Sequence, residues 1–314
     1  MRVFVAGASG AMGRPLVRQL VAAGHEVTGM TRREERAAEI REAGASAVVC
    51  DVFDAAALER AVMEAAPEVV VHQLTSLPPR IDYKAKDDLL AATNRVRSEG
   101  TRNLLAAAKA AGSRGLVAES VAFLYAPEGE RVKDEDAPLF HGAPPPFGGA
   151  VEALADLERQ VTGAEGIEGL VLRYGWLYGP GTYFDRDGSQ TEEARKRRLP
   201  IVGKGTGTFS FVQVEDAAAA TVAAVERGTP GVYNVVDDEP APMREWVPAF
   251  AEAVGAKPPR RVPVWLARLA AGPAAATTAT ELRGASNAKA KRELGWQPAY
   301  PSWRQGFRDP AARG

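Results

Sequence analysis

Short apolar runs alternate with amphipathic stretches over roughly the first third of the chain. The runs cover residues 3–6, 26–30, 47–50, 69–74 and 116–118, and each is typical of a buried strand. Between the first two runs, Leu16, Val17 and Leu20 recur at helical spacing, which predicts a helix with one apolar face. Regular alternation of strand and helix indicates an α/β fold with a doubly wound parallel sheet.

The pattern changes after residue 125. Residues 126–148 are rich in proline, glycine and charge and are predicted to form a loop, and residues 174–208 are loop-rich and aromatic. The last part of the chain is mostly helical, with prolines at its joints. We therefore expect two units: a cofactor-binding domain of residues 1–175 plus about 210–236, and a smaller, mostly helical substrate lobe of about 176–209 plus 237–314.

Three glycines, Gly7, Gly10 and Gly13, follow the first predicted strand at three-residue spacing and precede the first helix. In a strand–turn–helix unit such glycines serve a tight turn, the close approach of a diphosphate, and the packing of helix on strand. The free N–H groups at the start of the helix then face the phosphates. Because the triplet falls between a strand and a helix, it predicts a dinucleotide site rather than a plain glycine turn.

The second predicted strand runs into Arg32 and Arg33, where a site for NAD would carry an acidic residue toward the ribose hydroxyls. Two arginines suit a 2′-phosphate instead, through charge-assisted hydrogen bonds, so NADPH is favoured over NADH. The alternative is an exposed loop with two solvated arginines. After the third strand, Asp51 is placed to read the adenine edge, and Asp54 is expected to cap the next helix.

Composition narrows the class of protein. A formal net charge of −1 and a pI near 6.4 give no positive electrostatic field that would attract nucleic acid or an anionic membrane. No apolar run is long enough to span a bilayer. One cysteine, Cys50, suits a reducing cytoplasm. His25, His72 and His141 lack metal-ligand spacing, and His72 is expected to be a satisfied core histidine. We expect a cytoplasmic protein with a small-molecule substrate and no metal.

Further motifs extend over nearly the whole chain. They are Gly7-x-x-Gly10-x-x-Gly13, Asp51-x-x-Asp54, Asn94 with Gly100-Thr-x-Asn-Leu-Leu105, Leu172-Arg-Tyr174 with Tyr178-Gly-Pro-Gly181, Val214-Glu-Asp216, Val232-Tyr-Asn234 and Glu293-Leu-Gly-Trp296-x-Pro298. Together they resemble the extended short-chain dehydrogenase/reductases of the NAD-dependent epimerase/dehydratase type. The resemblance implies a Rossmann-type domain of about seven strands, with the substrate in a cleft beside the C-terminal lobe.

The resemblance and the predicted strand ends together imply a set of cofactor contacts. They are Gly7, Ser9, Gly10, Ala11, Met12, Gly13, Thr31, Arg32, Arg33, Asp51, Val52, Gln73, Leu74, Thr75, Asn94, Tyr174, Gly175 and Trp176. Family members often dimerise through helices that correspond to residues 84–111 and 149–162. The second of these is partly polar here, so monomer and homodimer both remain open.

The chain departs from the family in its catalytic residues. Members carry a hydroxyl side chain near the end of the fifth strand and a Tyr-x-x-x-Lys pair on the next helix, where the tyrosine moves a proton and the lysine lowers its pKa. Here Val121 stands at the hydroxyl position, with Ser120 one residue early, and Phe147 and Val151 replace the tyrosine and the lysine. No tyrosine of this chain is followed by a lysine four residues later, so the acid/base pair is absent in any alignment.

The substrate pocket is expected to be aromatic rather than suited to a nucleotide sugar. Where nucleotide-sugar enzymes of the family carry an arginine for the diphosphate, this chain has Phe209. Several rings fall in the same stretches, although any one of them is about as often ordinary core. The expected pocket residues are Ser76, Ser120, Phe147, Trp176, Tyr178, Tyr183, Phe209 and Phe211.

These features predict an atypical NADPH-dependent ketoreductase that acts on a bulky aromatic, polyketide-like molecule. Hydride transfer itself needs no protein acid, but the alkoxide that forms needs a proton donor. The candidates are Ser120, Thr75, Ser76 and Tyr174, an ordered water, or a hydroxyl of the substrate. The alternative is a redox-sensing regulator that binds NADP(H) without turnover. A nucleotide-sugar epimerase or dehydratase is the third and least favoured hypothesis.

Overall fold

A sheet of seven parallel strands forms the centre of the molecule. The computed structural model describes residues 1–80 and 89–313. The strands of the sheet are β1 (Arg2–Ala6), β2 (Glu26–Thr31), β3 (Ser46–Val49), β4 (Val69–His72), β5 (Gly115–Val121), β6 (Glu168–Tyr174) and β7 (Gly231–Val235). They lie in the order β3-β2-β1-β4-β5-β6-β7, and all neighbours are parallel. The predicted doubly wound sheet is confirmed.

Helices cover both faces of the sheet and build much of the C-terminal part. They are α1 (Gly13–Ala22), α2 (Glu34–Glu42), α3 (Ala55–Ala65), α4 (Ala91–Arg95), α5 (Thr101–Ala110), α6 (Phe147–Thr162), α7 (Ser189–Arg195), α8 (Val214–Arg227), α9 (Met243–Ala253), α10 (Val264–Glu281), α11 (Ala288–Leu294), α12 (Trp303–Arg308) and α13 (Pro310–Arg313). A π-helical turn, Val96–Gly100, joins α4 to α5. Within the described ranges, no helix is both long enough and apolar enough to cross a membrane.

Short strands pair outside the central sheet and tie its loops to the C-terminal part. The pairs are Trp176–Tyr178 with Phe211–Gln213, Ile201–Val202 with Arg261–Val262, and Val132–Lys133 with Gly284–Ala285, which are parallel, and Thr208–Phe209 with Ala241–Pro242, which is antiparallel. The stretch after β6 that was predicted as a loop therefore contains strand and helix. Its strands are only two or three residues long, too short for an alternating pattern to stand out in the sequence.

The central strands are buried on both faces, which explains their continuous apolar runs. Val3 and Val5 of β1 face a core that includes α1 and α8, whereas Phe4 and Ala6 face a core that includes α3 and α5. A slip of one residue would exchange these two faces, so the register of β1 is fixed. The fixed register places the carboxyl ends of the strands, and the loops that follow them, along one edge of the sheet.

A second core, formed mainly by aromatic rings, lies in the C-terminal part of the chain. Trp246 and Phe250 of α9 pack with Trp303 and Phe307 of α12, and the Phe250 and Phe307 ring centroids lie 5.0 Å apart. All four rings are at most 2% exposed. Aromatic pairs in such tilted arrangements add to the gain from burial. The division of the chain into a cofactor domain and a substrate lobe stays a prediction.

The helix expected over residues 84–111 is interrupted. Its described part begins at Ala91, and residues 84–88 lie outside the described residues. The π turn in its middle carries Arg97, which is buried and lies 3.7 Å from the carboxylate of Glu119 on β5. A π turn adds one residue to a helical turn and is often found at functional sites, but it leaves the apolar periodicity almost unchanged, so the sequence does not reveal it.

His72 ends β4 and is fully buried. Its Nδ1 accepts a hydrogen bond from the Leu74 N–H at 3.2 Å, so the neutral ring carries its proton on Nε2, which donates to Thr101 Oγ1 at 3.1 Å. Burial, and next the Arg97 guanidinium, lower the pKa of His72 to about 4. The prediction of a satisfied core histidine is confirmed.

Acidification should lower the free energy of unfolding through His72. The unfolded chain binds the imidazole proton near pH 6.5, whereas the folded protein binds it only near pH 4. The contribution is therefore complete above about pH 6.5 and is lost as the pH falls, by about 2 kcal/mol between pH 7 and pH 5. Denaturant unfolding of the wild type and of His72→Gln should show a smaller loss in the variant by this amount. Equal pH dependence in the two proteins would contradict the assignment.

Candidate active site

Two of the three motif glycines are required by the packing of the chain itself. Gly7 has a φ of +92°, and a Cβ there would lie 2.5 Å from the Gln73 carbonyl oxygen. A Cβ on Gly13 would lie 2.1 Å from the Gly7 carbonyl oxygen. No side chain larger than hydrogen fits at either position. The Gly13 contact holds the start of α1 against the end of β1, and the Gly7 contact holds that turn against the residue after β4. This is the geometry of a dinucleotide-binding turn.

Gly10 is different because the chain leaves space beside it. It is exposed, and a Cβ there would meet only the Gly7 carbonyl oxygen, at 3.3 Å. The first turn of α1 has no side-chain cap and no acidic residue. Uncapped N–H groups beside an open glycine suit the approach of a diphosphate. Ser9, Ala11 and Met12 complete this loop as predicted contacts.

The loop after β6 reaches the same turn. A Cβ on Gly181 would lie 3.4 Å from the Ala11 Cβ, so the two loops are in van der Waals contact. Gly181 has a φ of +78°, and its N–H donates to the Asp185 carboxylate at 2.6 Å. The glycine loop is therefore bordered by the sheet on one side and by residues that lead into the aromatic core on the other.

The end of β2 presents two arginines to solvent. The Thr31 hydroxyl lies 3.0 Å from the Ser9 hydroxyl and accepts the Arg33 N–H at 3.3 Å, which fixes the turn beside the glycine loop. Arg32 and Arg33 are both exposed, and neither forms an ion pair with any residue that the structure describes. Two free guanidinium groups at this position suit a phosphate.

After β3, the predicted contacts Asp51 and Val52 lie at the same edge of the sheet. The Asp51 carboxylate is exposed and accepts the Phe53 N–H at 3.0 Å, whereas Val52 is buried. Asp54 caps α3 by accepting the Ala57 N–H at 3.0 Å. The prediction that Asp54 is a cap is confirmed, and Asp51 remains the acidic group placed for a base or ribose.

Asn94, on α4, has a buried Oδ1 without a hydrogen-bond partner among the described residues. A buried carbonyl oxygen left unpaired costs free energy unless a ligand or water satisfies it. Gln73 and Leu74 follow β4, and Gly175 and Trp176 follow β6, at the same edge of the sheet. The open glycine loop and the unpaired Asn94 oxygen both fit a bound dinucleotide.

Tyr174 is removed from the proton-donor candidates. Its ring is buried, its oxygen accepts from Gln73 Nε2 at 3.0 Å, and its hydroxyl donates to Thr221 Oγ1 at 2.7 Å. Burial raises the pKa of Tyr174 far above its ordinary value. The side chain stands in the core between β6 and α8, so it contacts neither the cleft nor, through its hydroxyl, a cofactor.

Ser120 is also removed, both as a proton donor and as a pocket residue. It is fully buried and donates to the Glu158 carboxylate of α6 at 2.7 Å. Glu158 forms a buried ion pair with Arg173 of β6 at 2.6 Å, and Arg173 also donates to the Tyr125 hydroxyl at 2.9 Å. Ser120 therefore belongs to a buried polar network between the sheet and α6.

Thr75 and Ser76 keep their place as candidates. They follow β4 at the edge of the sheet; Thr75 is exposed and Ser76 is half-buried. The Ser76 N–H donates to Thr93 Oγ1 at 3.2 Å. Neither side-chain hydroxyl bonds to another described residue. Ser76 does not line the cleft described next, and its place in a substrate pocket stays a prediction.

An apolar cleft opens beside the start of α6. Phe147 and Val151, the residues at the tyrosine and lysine positions of the family motif, both line it, and so does Trp176. The Phe123 ring stacks on Trp176 with centroids 4.3 Å apart and an interplanar angle of 17°. The other lining residues are Leu124, Tyr125, Phe140, Ala143, Pro144, Thr277, Thr278, Glu281 and Leu282.

Four aromatic residues predicted for the pocket lie elsewhere. Tyr178, Phe209 and Phe211 are at most 5% exposed and belong to the aromatic core, because the short strands that carry them turn their rings toward α9 and α12. Tyr183 is half-buried, and its hydroxyl donates to the Pro78 carbonyl at 2.5 Å. In contrast, Phe123, Phe140 and the end of α10 were missed, because no local pattern links such distant segments.

Comparison with known proteins identifies the family. The model of the NAD dependent epimerase/dehydratase family matches residues 3–235. The chain belongs to this family. It is 48% identical to the 3-diazoavenalumate denitrifying reductase of a Streptomyces species, over 98% of this chain and 99% of that protein.

Two other similar proteins show the range of the family. The 4-hydroxy-2-methyl-3-oxo-4-farnesyl-3,4-dihydroquinoline-1-oxide ketoreductase of Stigmatella aurantiaca is 29% identical, over 82% of this chain and 74% of that protein. The crystal structure of Thermus thermophilus UDP-glucose 4-epimerase in complex with NAD is 27% identical, with a TM-score of 0.75 over 100% of this chain and 99% of that chain. The full-length match to a reductase makes this family member an oxidoreductase, as the sequence predicts, rather than a regulator without turnover.

Substitution of Gly10 should separate cofactor binding from folding. Gly10→Val places a side chain in the open space of the glycine loop, so it should abolish NADPH binding in a fluorescence titration while leaving the melting temperature of the ligand-free protein nearly unchanged. Gly13→Ala is the matched control: its Cβ would clash with the Gly7 carbonyl, so it should lower the melting temperature by several degrees. NADPH binding at wild-type affinity in Gly10→Val would refute the placement of the diphosphate.

Proposed function

We propose that the protein is an NADPH-dependent reductase of an aromatic substrate, in which the reaction takes no proton from a tyrosine–lysine pair. The observation that carries the proposal is the apolar cleft in which Phe147 and Val151 stand where an acid and a cation would be expected. Ser120 and Tyr174 are engaged in buried hydrogen bonds. The cleft therefore suits a reduction that consumes a hydride alone.

Reductive loss of a diazo group is such a reaction. Its balance is R–N₂⁺ + H⁻ → R–H + N₂: a C–H bond forms, the C–N bond breaks, and dinitrogen leaves with the bonding pair. No proton is consumed, so no side chain has to donate one. The relative that is 48% identical is named as a reductase that denitrifies a diazo compound, and we assign the same class of reaction to this protein.

The residues of the chain would bind and orient rather than exchange protons. The glycine loop and the start of α1 would hold the diphosphate, and Arg32 and Arg33 the 2′-phosphate. The Asn94 oxygen would accept a hydrogen bond from a ribose hydroxyl. The aromatic cleft would hold the substrate ring and exclude water, which protects both the hydride donor and a reactive diazo group. Reduced nicotinamide, when bound, supplies the hydride.

Reduction of a carbonyl is the second candidate. The Stigmatella aurantiaca relative is named as a ketoreductase, and the hydroxyls of Thr75 and Ser76 lie at the edge of the sheet that the cofactor would follow. A carbonyl must also gain a proton, and the hydroxyls that line the described cleft are those of Thr277, Thr278 and Tyr125, of which that of Tyr125 is committed to Asn234 at 2.7 Å. This candidate therefore needs one of the two threonines, water or a hydroxyl of the substrate as donor.

Isotope transfer should identify the reaction. With 3-diazoavenalumate and NADPH deuterated at the hydride position of C4, the protein should release dinitrogen and give a product with deuterium at the carbon that carried the diazo group. Gly10→Val, which lacks the diphosphate space, is the matched control and should give neither. Deuterium transfer to an aryl ketone with no dinitrogen from any diazo compound would support the carbonyl reductase instead.

The cofactor preference should depend on the two free arginines. Arg32→Ala with Arg33→Ala removes the charge-assisted hydrogen bonds to a 2′-phosphate, so the Kd for NADPH should rise by at least about tenfold while the Kd for NADH changes little. Arg41→Ala, at the last turn of α2, is a control for the loss of a positive charge nearby. Equal losses of affinity for both cofactors would mean that the arginines are only part of the surface.

A further inference from the structure

We propose that the aromatic cleft is a cation site, in which Glu281 and the flanking rings hold the positively charged diazonium group of the substrate. The inference deepens the proposed function and rests on it for the identity of the cation. It assigns Glu281, at the end of α10, the role of a specificity-determining residue. The argument begins with the charge of the cleft.

Glu281 is the only charged residue that lines the cleft within the described part of the chain. Its side chain is exposed and forms no hydrogen bond or ion pair with another described residue. The nearby basic groups do not line the cleft: Arg283 donates to the Pro127 carbonyl, and Arg173 is paired with Glu158. Within the described residues, the carboxylate is therefore the one charged group at the lining of an otherwise largely apolar cavity.

The position of Glu281 in its helix strengthens the effect. It is the last residue of α10, where the helix dipole places partial negative charge and where an acidic side chain is unfavourable for the helix itself. Thr277, Thr278 and Leu282 line the cleft from the same helix end. The carboxylate and the C-terminal end of α10 thus add to the same negative potential, which no stabilising contact in the described structure explains.

Aromatic residues make up much of the rest of the lining. Phe123 stacks on Trp176, and Phe147, the first residue of α6, lines the same cleft. The face of an aromatic ring carries partial negative charge and attracts organic cations, most strongly where water is excluded. Rings with one carboxylate and no basic residue form a combination that binds a cation better than a neutral molecule of the same shape.

A diazonium group meets these requirements and a ketone does not. It is cationic while bound, which makes its ring carbon more open to hydride attack. After hydride addition and loss of dinitrogen the product carries one positive charge fewer. The site would then bind the substrate in preference to the product, which favours release after turnover.

A shape-matched pair of unreactive probes tests the site without hydride transfer. 3-Hydroxyphenyltrimethylammonium and 3-tert-butylphenol have nearly the same shape and differ by one positive charge. In protein saturated with NADP⁺, tryptophan fluorescence should show that the cation binds about tenfold more tightly than the neutral probe. Glu281→Gln should remove most of this preference and change the Kd of the neutral probe less than about twofold.

Glu252→Gln, an exposed carboxylate of α9 that does not line the cleft, is the matched control and should retain the preference. Equal affinity for the two probes in the wild type would overturn the proposal, and so would an unchanged preference in Glu281→Gln. Dinitrogen release measured in parallel keeps the two proposals apart. Release without a preference for the cation refutes the cation site alone, whereas a preference that depends on Glu281 without release supports the site and refutes only the diazo reaction.

Discussion

The contact between the start of α1 and the end of β1 sets the geometry of the whole site. It depends on Gly13, where a Cβ would lie 2.1 Å from the Gly7 carbonyl oxygen. Gly7 is itself held against the residue that follows β4, because a Cβ there would lie 2.5 Å from the Gln73 carbonyl oxygen. Of the residues predicted to hold the cofactor, Gly10, Arg32, Arg33 and Asp51 are exposed after the ends of β1, β2 and β3, whereas Val52 and Tyr174 are buried.

The second constraint is the buried ion pair of Glu158 and Arg173. It joins α6 to β6, and Ser120 of β5 adds a third hydrogen bond to the same carboxylate. Removal of one partner from such a pair leaves a buried charge and is strongly destabilising, typically by about 3–5 kcal/mol. The pair therefore holds α6 in place, and with it the first two turns of that helix, where Phe147 and Val151 border the cleft. The helix is positioned independently of the side chains it presents there.

Much of the fold could be predicted because its signals are local. A buried parallel strand is recognised as an apolar run, the glycine triplet fixes the first turn, and Asp54 has the position and side chain of a helix cap.

The predictions that the structure does not support concern the direction in which a side chain points. Neighbouring side chains of β5 alternate between the two faces of the sheet, and Ser120 lies on the face where its hydroxyl meets the buried carboxylate of Glu158. The sequence around Phe209 and Phe211 does not distinguish rings that line a pocket from rings that fill a core. The contribution of Glu281 depends on α10 folding back from far along the chain, and no local spacing encodes that.

The break in α10 at Gly272, where φ is +88° and ψ is 168°, divides that helix into two segments. The second segment forms one wall of the cleft through Thr277 and Thr278. The facing wall is built differently, because Trp176 contacts both the cleft and Phe209 in the aromatic core, with centroids 5.6 Å apart. A change at Trp176 would disturb the packing of that core, whereas Thr277 and Thr278 are half-buried and their side chains lie outside the ring contacts of the core. Divergence toward new substrates is therefore expected to proceed through α10, while the aromatic wall keeps the same shape among enzymes of different specificity.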